Sequence, residues 1–149
     1  MATIRELIVQ KALLKLNTGT PGGVPQTERA RTFALETSQL MSSIIYPVRN
    51  PVAEGSRPLR SPAIQTEVHL SIELRGKGDG VNSPDALLDP AINWVVKALC
   101  GTFEAGLWTD VEYDDTTFEW DQLDYAFCLA TVKLRVLTQM KTNDPSAIA

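Results

Sequence analysis

Histidine occurs once in this sequence, at His69, and cysteine twice, at Cys100 and Cys128. A Ser-His or Cys-His nucleophilic pair would have to use that single imidazole. Two isolated cysteines supply neither a disulfide framework nor the paired short spacing of a zinc site. Both lie in apolar periodic segments and read as inert buried thiols in a reducing compartment. No apolar run reaches the ~20 residues that a membrane span requires. Arg5, Glu6, Gln10 and Lys11 interrupt the N-terminal segment, so it has no secretory apolar region, and synthesis in the cytosol is expected. Excess positive charge is missing too. Fourteen Lys and Arg against eighteen Asp and Glu give a net charge of −4, which excludes a domain that is basic as a whole and reads nucleic acid.

Two motifs that could carry chemistry fail on inspection. Gly76-Lys77-Gly78-Asp79-Gly80 lies between a strand pattern and a helix start, the layout of a phosphate loop. However, Val81 stands where a dinucleotide fingerprint needs its third glycine, no Gly-Lys-Ser/Thr opens the helix, and Asp79 would repel phosphate. The acidic cluster from Asp110 to Asp124 has no calcium-loop register, and the alternation of Asp110, Glu112 and Asp114 reads as the solvent face of a strand. His69, with Glu67 and Ser71 as its neighbours by strand period, reads as a surface histidine. No cofactor or metal ligand set is expected, and the chain does not read as an enzyme.

What is present is periodicity. A chain of 149 residues reads as one domain able to bury roughly 68–70% of its unfolded surface. Its clearest element runs from Thr66 to Arg75. Val68, Leu70, Ile72 and Leu74 fall on one face, and Glu67, His69, Ser71, Glu73 and Arg75 on the other, the period of a half-buried strand. Before it, Thr3 opens an amphipathic helix with a stripe of Ile4, Leu7, Ile8, Ala12 and Leu14, ended near Leu16 by the breaker cluster Asn17 to Gly23. Arg31 to Glu36 alternates as a strand. Leu40 to Ile45 reads as a second strand, joined to it around Thr37–Gln39 and ended by Tyr46-Pro47.

After the central strand, Ser83-Pro84 or Asp89-Pro90 starts a helix carrying Leu88, Ile92, Val95, Val96 and Leu99, and Gly101 closes it. Residues 106–124 read as a strand, a turn at Asp114-Asp115-Thr116 and a short extended segment. Ala126 to Leu137 alternates as a long final strand. The expected fold is α+β, a mixed or antiparallel sheet of about five strands packed against two helices in the order α-βββ-α-ββ, with flexible segments near 17–27, 49–62 and 141–149. The polar connection from Arg49 to Pro62 carries Arg49, Arg57 and Arg60 against Glu54 alone. It is either a solvated loop or an arm whose guanidiniums meet a partner's carboxylates or phosphates.

The order of these elements, with Arg31 to Glu36, Leu40 to Pro47, Glu67 to Arg75, Leu88-Asp89-Pro90, Val96, Ala98-Leu99, Glu119-Trp120 and the final strand, resembles the tail terminator (minor tail, gpU-like) proteins of long-tailed bacteriophages and prophages. Met41 departs from that pattern, at a position where proline is expected in many relatives. The resemblance implies a non-enzymatic structural protein of the phage tail. It would form a hexameric ring that caps the tail tube, ends its polymerisation and offers a surface to head-completion or connector proteins. DNA would pass through the lumen unread, and the protein would reside in the host cytoplasm during assembly and then in the virion tail. Arg49, Arg57 and Arg60 would be interface residues. A head–tail connector or neck protein remains as an alternative, and a small metal-dependent enzyme using the Asp110–Asp124 cluster as a remoter one.

Overall fold

In a computed structural model, residues 3–29, 41–51, 63–78, 81–120 and 127–141 are described. The elements are α1 (Ile4–Leu16), β1 (Thr27–Arg29), β2 (Met41–Arg49), β3 (Ala63–Lys77), α2 (Pro84–Leu99), β4 (Asp110–Trp120) and β5 (Phe127–Lys141). This is the α+β fold and the α-βββ-α-ββ order that the periodicity implies. The five strands form one sheet in the order β1-β2-β3-β5-β4. β1 runs parallel to β2, and every other pair is antiparallel. β3 and β5 pair without a break from Ala63↔Lys141 to Lys77↔Phe127 and form the spine of the sheet.

The alternation in β3 and β5 decides which face is covered. Val68, Leu70, Ile72 and Leu74 of β3, with Cys128, Ala130, Val132, Leu134 and Val136 of β5, are all buried against the helices. Leu88, Ala91, Ile92, Val95 and Leu99 of α2 recur at helical spacing and pack on β3 and β5. α1 lies beside α2, over β1 and β2. Its end is held by side chains: Trp94 Nε1 of α2 donates to the Leu16 carbonyl at 2.9 Å. Asn17 Nδ2 donates to the Thr27 carbonyl at 2.8 Å, and Asn17 Oδ1 accepts from the Thr27 N–H at 2.7 Å. The buried Thr27 and Ser43 hydroxyls meet at 2.9 Å, so the short parallel pairing has a polar clasp inside the core.

Of the two helix starts that the sequence offers, α2 uses Ser83-Pro84, and Pro90 lies inside it on its exposed side. Several other boundaries differ from the sequence reading. Tyr46-Pro47 does not end β2. The strand continues to Arg49, past the last residue of β2 that β1 pairs, and Val48 is accommodated there by a register shift between Pro47 and Arg49. Asp114-Asp115-Thr116 is not a turn. β4 is one strand with a bulge between Tyr113 and Asp115. Leu14 leaves the apolar stripe of α1 and is 59% exposed, because at 100° per residue it lies across the helix from Ile4, Ile8, Ala12 and Leu16, which are buried with Val9. The first strand observed is Thr27–Arg29; the pattern at Arg31 to Glu36 and the junction at Thr37–Gln39 lie outside the described residues.

Candidate functional site

The helices cover one face of the sheet, and among the described residues no helix or strand packs on the other, here called the open face. Register places its side chains in cross-strand rows: Arg49, His69, Arg135 and Glu112 in one, Tyr46, Ser71, Lys133 and Asp115 in the next, and Ser42, Arg75, Leu129 and Glu119 further along. At the β5–β4 seam opposite charges face each other, Arg135 with Glu112 and Lys133 with Asp115. Arg135 Nη2 stands 3.2 Å from Glu112 Oε2, and its Nε is 3.9 Å from Asp114 Oδ1. That Nε is buried and makes no hydrogen bond. His69 Nε2 lies 2.8 Å from Glu67 Oε2, a pair within one strand at a spacing of two. Tyr46 Oη donates to Glu73 Oε1 at 2.6 Å. Burial, and then the hydrogen bond to Glu73, push the Tyr46 phenol up to about 12.

Arg49 is exposed at the end of β2, opposite His69. Arg57 and Arg60 lie outside the described residues, so the three arginines are not placed together. The acidic cluster is spread along β4. Asp110, Glu112, Asp115 and Glu119 share the open face, and Asp114 sits at the bulge. Asp121 and Asp124 lie outside the described residues, among which no three His, Cys, Asp or Glu side chains stand close enough to hold a metal ion. Burial pushes both cysteine thiols up. Asp110 adds to this at Cys100 and Asp85 at Cys128, so both stay protonated and poorly nucleophilic at neutral pH.

The feature that the sequence reading passed over lies on the other side of β4. The bulge moves the strand out of phase, so odd-numbered Val111 and Tyr113 share the helix-side face with even-numbered Thr116, Phe118 and Trp120. α2 packs chiefly on β3 and β5, and the far part of β4 is the less covered strand on this side. Val111 is buried at the start of the strand, but Tyr113, Phe118 and Trp120 are 45%, 47% and 39% exposed. Beside Trp120, a shallow cleft of about 320 Å³ is lined by Arg75, Glu119, Phe127, Cys128 and Leu129. Aromatics interleaved with acids at this end of the chain were the available signal. Without the bulge, their side of the sheet was not readable.

No protein-family model matches the sequence, and no curated protein does. Among solved structures, the chain is similar to a chain in the virion of a native gene transfer agent particle. The TM-score is 0.58 and the identity 11%, over 89% of this chain and 95% of that one. Two chains alike over nearly their whole lengths with so few shared residues have the fold in common, and the likeness is one of fold.

Proposed function

We propose that this chain is a structural component of a phage-like particle, and that it acts as a tail terminator: a ring of copies that caps the tail tube, ends its growth and offers a surface for head attachment. The observation that carries the reading is the near full-length fold likeness to a chain of a gene transfer agent virion. The order of elements, α-βββ-α-ββ, is the one on which the resemblance to the gpU-like proteins rests, and it supports the reading. So does the open sheet face, whose opposite charges face each other at the β5–β4 seam and form a surface suited to packing against protein. A wall of net charge −4 would not hold DNA passing through a lumen. The reading assigns no chemistry to the chain. In it, Arg49, Arg57 and Arg60 contact a neighbouring subunit or the tube.

The test is to polymerise the cognate tail tube protein with and without this chain and to measure tube lengths by electron microscopy. A terminator shortens the tubes and appears as a ring at one end, and replacing Arg57 and Arg60 together weakens capping without changing the melting temperature. Binding to heads with unaltered tube growth would reassign the chain to the connector or neck. Unaltered tubes with no binding to either partner would end the virion reading.

A further inference from the structure

β4 is an edge strand, and its backbone groups can be accounted for residue by residue. At its start the outward groups of Val111 are closed. The carbonyl accepts from the Gly101 N–H at 2.9 Å, and the N–H donates to Asp110 Oδ1 at 2.8 Å. The alternation of the ladder then turns the N–H and C=O groups of Tyr113, Thr116, Phe118 and Trp120 outward, and among the described residues no backbone group meets them there. Most of the strand is thus left as a template for another. We infer that this edge docks an extended segment of a different protein, one in which Lys or Arg alternates with aliphatic residues, added to the sheet as a further strand. The inference stands whether or not the chain caps tubes, because it concerns a partner other than a second copy.

β5 is the internal example of what β4 pairs with. Against Tyr113, Thr116 and Phe118 on the helix side it sets Leu134, Val132 and Ala130, and against Glu112 and Asp115 on the open face it sets Arg135 and Lys133. Its stretch Val132-Lys133-Leu134-Arg135-Val136 is apolar and basic in turn. The free edge makes the same demand, since the same β4 side chains flank a strand on either side. The aromatics of β4 are partly exposed and offer apolar contact, and every charged residue on the strand is a carboxylate. Arg135 and Lys133 answer these acids only in part, for Glu119 stands opposite Leu129. The acids also select the occupant. β4 on β4 would oppose carboxylates, β5 of a folded copy has both edges taken, and at the far edge Pro47 interrupts β2 beyond the end of β1. A basic strand from another protein meets none of these obstacles.

The probe is a labelled synthetic peptide with the sequence of residues 130–138, added to the full chain. Amide exchange should slow at Thr116, Phe118 and Trp120, whose N–H groups point outward, while the amides that β5 already holds exchange as before. Fluorescence anisotropy measures the affinity. A peptide with its Lys and Arg replaced by Glu should bind about tenfold or more weakly. Asp115→Asn with Glu119→Gln in the chain should weaken the unaltered peptide, and added salt should shrink that difference. Both side chains are exposed, so the variant should melt as wild type does. N-methylation of alternate peptide residues distinguishes strand pairing from loose adsorption: the set along one peptide edge should abolish binding, and the set along the other should leave it intact. A peptide that does not bind, indifference to charge reversal, or N-methyl sets that both abolish or both spare binding would overturn the inference. So would a wild-type chain whose Thr116, Phe118 and Trp120 amides are protected before any peptide is added, because copies already pair through this edge.

Discussion

Gly76 of β3 faces Leu88 of α2 so closely that a Cβ on Gly76 would stand 2.8 Å from Leu88 Cγ and 2.9 Å from its Cδ2. Here the helix rests directly on the strand's backbone. Gly76→Ala should cost about 1–3 kcal/mol by overpacking. Leu88→Ala alone should cost about 2–5 kcal/mol through the cavity it leaves. In the double variant the alanine at 76 should add almost nothing, and urea denaturation of all four proteins measures that coupling.

Leu70 is 1% exposed at the centre of the sheet. Leu70→Asp buries an unpaired carboxylate and should cost more than about 4 kcal/mol, enough to abolish cooperative folding. Circular dichroism through a thermal melt is the check, and a variant that stays soluble with a sharp transition would contradict the burial of this face.

Asn17 joins the end of α1 to both backbone groups of Thr27. Asn17→Ala leaves a partly buried N–H and carbonyl without these partners and should cost about 1–3 kcal/mol. The urea midpoint should fall with an unchanged slope, which identifies lost stability rather than a changed denatured state.

Tyr46 makes an alkaline prediction. Its phenol, ordinarily near 10, is raised to about 12, first by burial and then by Glu73. The folded state therefore holds this proton more tightly than the unfolded chain does. The associated stability is complete below pH 10.0 and is lost as pH climbs from there towards about 12. Absorbance titration of the folded protein should show one tyrosine ionising late, and in Tyr46→Phe that late step should disappear.

Much of this architecture was legible because β3 and β5 alternate without interruption, and a period of two along a strand covered on one side leaves little choice. The harder stretches failed for identifiable reasons. Asp114-Asp115 looks like a turn because acids favour turns, yet one extra residue absorbed as a bulge satisfies the strand and flips the phase beyond it. Pro47 looks like a terminator, yet β1 ends before it and leaves that part of β2 without a neighbour on one side. Of the candidate surfaces, the charged open face could be read directly from Glu67 to Arg75. The exposed aromatics of β4 could not, because their exposure depends on how far α2 covers the sheet.

The pairing of β3 with β5 also governs how the chain reaches this structure. The two strands of the spine are separated by the whole of α2 and β4, so during synthesis β3 has β2 and the helices to hand but lacks its longest strand partner until the end. Closing a loop of that length carries an entropic cost before any contact compensates, so folding hinges on a late, long-range event. Ribosome-arrested chains that stop short of Phe127 should remain sensitive to protease, and protection should arrive abruptly once β5 has emerged.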